Sequence, residues 1–140
     1  MSTIEDARQF SWMLNNFVRK TFGVSDAVAV SSDGLLMATS DTLDLRGADQ
    51  VAAIISGLVS LGDGATRCLG FETLDQIIVA MELGYLFVTA MGTSGCVGIV
   101  AEPDADLGII GYQMSLFVER AGQLLTPLVV NELKNQVLVQ

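Results

Sequence analysis

A chain of 140 residues is long enough for one ordinary domain with a buried core. Just over half of the residues are apolar, which excludes disorder for most of the chain. A net charge of −9 argues against a nucleic-acid partner, and the absence of histidine removes the usual general base, the usual zinc ligand and every histidine-dependent triad.

The first predicted element is an amphipathic helix over residues 2–22. Ser2 and Glu5 have capping-box spacing, and Ile4, Ala7, Phe10, Leu14, Phe17, Val18 and Phe22 recur at helical intervals. Trp12 breaks the pattern by projecting into the polar face. Gly23 stops the helix. Two short apolar runs follow, Ala27–Val30 and Leu35–Ala38, separated by Ser31-Ser32-Asp33-Gly34. An Asp-Gly between two such runs predicts a β-hairpin. A phosphate loop would need further glycines and a Lys-Ser or Lys-Thr pair, and a calcium loop a ladder of oxygen ligands ending in Glu. Neither is present, so Asp33-Gly34 is read as a turn.

Asp41 or Asp44 caps a second helix from about Leu45 to Thr66, with Val51, Ile54, Ile55, Leu58, Leu61 and Ala65 as its inward stripe. Its other side carries Ala53, Ser56, Gly57, Ser60 and Gly64. A solvated face normally carries charge, and each interior glycine costs about 1 kcal/mol of helix propensity against alanine. These residues therefore read as a track where another backbone approaches closely. Three apolar strands come next: Gln76–Met81, Tyr85–Met91 and Cys96–Ala101. Their short connections predict antiparallel neighbours, and their continuous apolarity predicts cover on both faces.

The carboxylates of Glu102-Pro103-Asp104-Ala105-Asp106 are read as the cap of a last helix, not as a metal site. That helix places Leu107, Ile110, Met114, Phe117, Val118, Ala121 and Leu125 on one stripe, and Pro127 is expected to end or kink it. Tyr112 and Leu116 lie on its outward side, where with Trp12 they could form a second interface. The domain is expected to span residues 1–140, with its core over about 2–130 and a tail of no strong signal over 131–140. Cys68 and Cys96 form no CxxC and read as buried thiols. The apolar region Leu107–Val130 is interrupted by Glu119, Arg120, Gln123 and Pro127, too often for a membrane helix of about 20 residues. The N-terminus has no cationic start and no apolar core of a secretory signal, so the cytoplasm is the expected compartment, with any membrane recruitment through a partner.

The resulting order is α-β-β-α-β-β-β-α. Three pieces, VAVSSDGLLMATS, the helix start after Leu43-Asp44-Leu45, and QIIVAMELGYLFVTAMGTSGCVGIV, together resemble the roadblock/dynein-light-chain family over nearly the whole chain. The resemblance implies an α+β fold of the roadblock/profilin-like kind. Its five-stranded antiparallel sheet has the order 2-1-5-4-3, with the first and last helices on one face and the middle helix on the other. It also implies a homodimer in which third strands pair edge to edge and middle helices pack side by side. That assigns Ala53, Ser56, Gly57, Ser60 and Gly64, with Ile78 and Ala80 of the third strand, to the seam. Bacterial members of the family act on small Ras-like GTPases, some as activators without an arginine finger, and actinobacterial ones are typically encoded beside a sensor-kinase-like protein. The expected protein is thus a regulator without catalysis of its own, having no P-loop, no NKxD-type motif and no cofactor. The alternative is a ligand-sensing input domain of the PAS or GAF sort, which would need a cavity with convergent polar groups. A metal-dependent or hydrolytic enzyme is the weakest reading, because the carboxylates sit at turns and caps.

Overall fold

The computed structural model describes residues 2–140; the first residue of the expected domain lies outside them. Helix α1 (Thr3–Lys20) is capped by Ser2, whose hydroxyl accepts from the Glu5 amide at 3.1 Å. Acidic Glu5 and Asp6 open it and basic Arg19 and Lys20 close it, both favourable to the helix dipole. Ala7, Phe10, Leu14, Phe17 and Val18 form its buried stripe. Ile4 and Phe22, expected on that stripe, are exposed: one lies in the first turn and the other beyond the helix end.

Strands β1 (Val24–Ser31) and β2 (Leu36–Thr39) form the expected hairpin. Gly34 turns it with φ +85°, a conformation that favours glycine. The Asp33 carboxylate accepts from the Ser31 hydroxyl and from Lys134 Nζ at 3.2 Å. Asp44 caps α2 (Leu45–Leu69), accepting from the Gly47 amide at 2.7 Å, and Gly70 ends it in the left-handed region. Strands β3 (Gln76–Met81), β4 (Gly84–Ala90) and β5 (Gly95–Ala101) complete an antiparallel sheet in the order β2-β1-β5-β4-β3.

Helix α3 (Leu107–Gly122) is capped by Asp106, which accepts from the Ile109 amide at 3.1 Å. Pro127 neither ends nor kinks α3. It occupies the first turn of a further helix, α4 (Pro127–Leu138), where its missing amide hydrogen has no intrahelical acceptor to lose. Thr126 is the cap, accepting from the Val129 amide at 3.3 Å.

The sheet separates two cores. On one face α1, α3 and α4 pack on Ala27, Ala29, Met37, Phe87, Val97 and Ile99. On the other, α2 packs on Val28, Val30, Leu36, Leu86, Val88 and Cys96. The absence of a side chain at Gly98 lets Ile55 of α2 seat on the middle of the sheet, where a Cβ would collide with it. Helix α4 packs on α1 and β2. It gives Val129 and Leu133 to the first core and Val137 to the second, so it crosses the β2 edge of the sheet. At the opposite end, among the described residues, β3 pairs with β4 alone.

Candidate functional site

The exposed surface of α2 differs from the one its sequence predicts. Buried Ala48, Ala52 and Ile55, with half-buried Val51, Leu58 and Val59, form the side against the sheet. At 3.6 residues per turn, Ile54 and Leu61 sit about 100° and 120° around the helix from Ile55. They are accordingly 56% and 75% exposed, and Ala65 is exposed too. The small Ala48 and Ala52 take the inward places that the larger residues were expected to fill.

Ile54, Gly57, Leu61, Gly64 and Cys68 fall at alternating steps of three and four residues, the spacing of a helix–helix seam. Large and small residues alternate along this outer ridge. A Cβ built at Gly57 would meet nothing, and one at Gly64 would meet only the tip of Arg67 at 3.9 Å. Ala53 and Ser60 are exposed beside the ridge. Ser56 is not on it: its hydroxyl lies against the hairpin turn at Gly34. Ile54 and Leu61 thus belong to the exposed surface that the sequence reading built from small residues alone. The signal that could have found them was the three-four spacing they share with the glycines.

Strand β3 lies beside α2 at the open edge of the sheet. Ile77 and Val79 point toward α2 and are half-buried. Ile78 and Ala80 point to the other face, where Ile78 is 44% exposed and Ala80 is exposed as well. The expected cover on both faces therefore fails at this strand, because α3 packs over β4 and leaves β3 outside. Leu69, Phe71 and Met81 add further exposed apolar area around β3 and the end of α2. Exposed apolar area at a sheet edge makes this region a candidate interaction surface.

The second set predicted from sequence sits on the α1–α3 layer. Trp12 is 54% exposed, Tyr112 is 63% exposed and Leu116 is half-buried. The two helices are joined beneath them by edge-on contacts of Phe117 with Phe10 and Phe17, at centroid distances of 6.2 and 5.4 Å. The hollow beside Trp12 is lined by Glu5, Arg8 and Gln9, all on its own helix, with no residue of α3.

Cys96 is buried, as expected, and burial first, then the nearby Asp63 charge, push its thiol up to about 11. Cys68 is exposed at the end of the ridge, contrary to the sequence reading, because it follows Leu61 by two helical turns on the same outward side. The Ser31 hydroxyl, then Lys134, hold the Asp33 carboxyl below its ordinary value of 3.8. Among the described residues, no group of three or more histidine, cysteine or acidic side chains is placed to hold a metal. Among the described residues, the buried polar ones are Thr21, Ser31 and Ser40, and none is charged. No described helix is long and apolar enough to cross a membrane.

Comparison with known proteins agrees with this architecture. The model of the Roadblock/LC7 domain matches residues 10–101. A solved Roadblock/LC7 domain from Streptomyces avermitilis is similar at 32% identity and a TM-score of 0.74, covering 79% of this chain and 92% of that one. Two more distant structures share the fold. An MglB in a tetrameric arrangement aligns at 16% identity and a TM-score of 0.78, over 88% of this chain and 92% of its own. Myxococcus xanthus MglB aligns at 15% identity and a TM-score of 0.73, over 92% of both chains. No curated protein matches the sequence. The family match spans more than half of the chain and agrees with the strand order and helix layout, and the protein belongs to the Roadblock/LC7 domain family.

Proposed function

We propose that the protein is a homodimeric regulator of a small Ras-like GTPase in a bacterial signalling system, without catalytic chemistry of its own. The observation that carries the dimer is the asymmetry of the sheet: α4 covers the β2 edge, while β3 lies open beside an apolar helix ridge. An unpaired apolar edge is a template for another strand, and a second copy of the same edge satisfies it. The ridge fits the same symmetry. In an antiparallel pair of α2 helices, Leu61 of one copy opposes Gly57 of the other, and Ile54 opposes Gly64. Both pairings are centred on residue 59, as one two-fold axis requires. Each large side chain then enters a gap left by a glycine.

The GTPase as client rests on the family resemblance, and the structural likeness to MglB proteins supports the fold on which that resemblance depends. Ala53, Gly57, Ser60, Gly64, Ile78 and Ala80 are assigned to the seam or its margins; Ser56, turned toward the hairpin, is not. Trp12, Tyr112 and Leu116 offer a separate face for a further partner, such as a sensor-kinase-like protein. The expected setting is the cytoplasm. Stimulation of the GTPase would come from positioning its own residues. All five arginines, Arg8, Arg19, Arg46, Arg67 and Arg120, are exposed, and none belongs to the ridge.

The test is single-turnover GTP hydrolysis by the cognate GTPase at saturating regulator. Arg46→Ala and Arg67→Ala should each retain most of the stimulation. An inserted arginine is worth about 10³–10⁵ in rate. A thousandfold collapse in either variant, with binding preserved, would establish a finger and overturn the mechanism. No stimulation and no binding by the wild type would remove the GTPase reading itself.

A further inference from the structure

A cleft of about 820 Å³ lies between the C-terminal half of α2 and one end of the sheet. Its floor is apolar, made by Val59 of α2, Ile77 of β3, Val88 of β4 and Leu74 of the preceding connection. Leu74 reaches the helix because Gly62 has no side chain; a Cβ there would stand 2.7 Å from it. The rim is acidic. Asp63, Glu72 and Asp75 line it, and no ion pair among the described residues neutralises any of them. Asp33 adds a fourth carboxylate, paired with Lys134, and Arg67 is the only cation of the lining. Asp63 stands near the Cys96 thiol, which also lines the cleft and whose pKa that charge helps to raise. Glu72 is held at φ 75°, a backbone region that favours glycine, yet the position carries a carboxylate.

The shape says what kind of occupant fits. The cleft crosses the ends of β1, β5, β4 and β3, touching Val30, Cys96, Ala90 and Gln76 in turn. Three strand spacings of about 4.8 Å give a length of about 14 Å, or roughly four residues of extended chain. It is open along one side, whereas a small-molecule site encloses most of its ligand. In an extended chain alternate side chains point to opposite sides. Aliphatic residues can then face the floor while their neighbours reach the carboxylates. Val59, Asp63 and Thr66 line it from the flank of α2 turned away from the Ile54–Leu61 ridge, and Ser60 is shared with the margin of that ridge.

We propose that this cleft is a docking groove for an extended segment of a partner protein in which arginine or lysine alternates with aliphatic residues. The inference does not depend on the GTPase or dimer readings. The probe is a fluorescein-labelled pentapeptide with three leucines alternating with two arginines, titrated against the full chain by fluorescence anisotropy. Saturable binding is expected, with backbone NMR shifts concentrated at Val59, Ile77 and Ala90. The double variant Asp63→Asn, Glu72→Gln should weaken binding by roughly five- to tenfold, as expected for two rim charges. The double variant Asp104→Asn, Glu119→Gln removes the same charge from exposed positions outside the cleft and should leave binding unchanged. Equal weakening by both variants, or by neither, would overturn the proposal. So would shifts centred on the α2 ridge, competition by free arginine as effective as by the peptide, or no saturation below millimolar peptide.

Discussion

Replacing Gly57 with leucine separates folding from association. In the single chain a Cβ at this position meets nothing within 4 Å. The substitution therefore costs no packing within the chain and gains about 0.5–1 kcal/mol of helix propensity. In the proposed dimer the same site receives Leu61 of the second copy. Overpacking a close contact costs about 1–3 kcal/mol. A two-fold axis applies that cost at two sites, for a total of about 2–6 kcal/mol. The dissociation constant should then rise by about 30-fold to 10⁴-fold. Sedimentation equilibrium over a concentration series measures the constant, and circular dichroism checks that helix content is kept. A Gly57→Leu constant within threefold of the wild-type value, with the fold intact, would show that the Ile54–Cys68 ridge is not the seam.

Leu133 is 1% exposed in α4, and Leu133→Ala should lower stability by about 2–5 kcal/mol in chemical denaturation; a loss under 1 kcal/mol would show that α4 is not part of the packed unit. Cys96 should resist iodoacetamide at pH 8, since its thiol stays protonated there. A folded pKa of about 11 against an ordinary 9.0 means that the native state holds the proton longer, so wild-type stability should fall by roughly 2 kcal/mol between pH 9 and 11, a loss absent from Cys96→Ala. Equal alkaline loss in both proteins would contradict that assignment. Asp33 has a lowered folded pKa, so its contribution is present above the ordinary carboxylate range and is lost as pH falls through the folded value. Its side chain is 57% exposed, so Lys134→Ala should cost under about 1 kcal/mol at neutral pH, with the difference vanishing in acid.

The parts of the fold readable from sequence are those specified by local chemistry. Asp33-Gly34 marks the hairpin, Ser2, Asp44 and Asp106 mark three helix starts, and Tyr85–Met91 and Cys96–Ala101 are apolar because helices cover both their faces. Helix α4 was missed although Thr126-Pro127 is an N-cap followed by a first-turn proline. The same proline also fits the end of α3, and local sequence does not decide between the two. The apolar spacing of α2 puts Ile54 and Leu61 on its inward stripe, because a helix pattern alone does not separate an exposed apolar ridge from a buried one. Which side of α2 meets the sheet is settled by what lies beneath it, chiefly the gap at Gly98 that receives Ile55. The open face of β3 was hidden for a related reason. A strand covered by a helix and one awaiting a second copy share the same apolar pattern. The cleft had no sequence signature, since its acidic residues come from α2, the connection after it and the hairpin.

The central claim is that β3 is an edge only within one chain. Hydrogen exchange at the β3 amides tests it most directly. Amides of Gln76–Met81 that do not bond to β4 point away from the sheet and have no backbone acceptor in a single copy. If a second β3 pairs with them, they should exchange as slowly as the inward amides at high protein concentration. They should also become fast on dilution below the dimer constant, or in Gly57→Leu. Rapid exchange of the outward β3 amides at every concentration, beside protected amides in β4 and β5, would contradict the account.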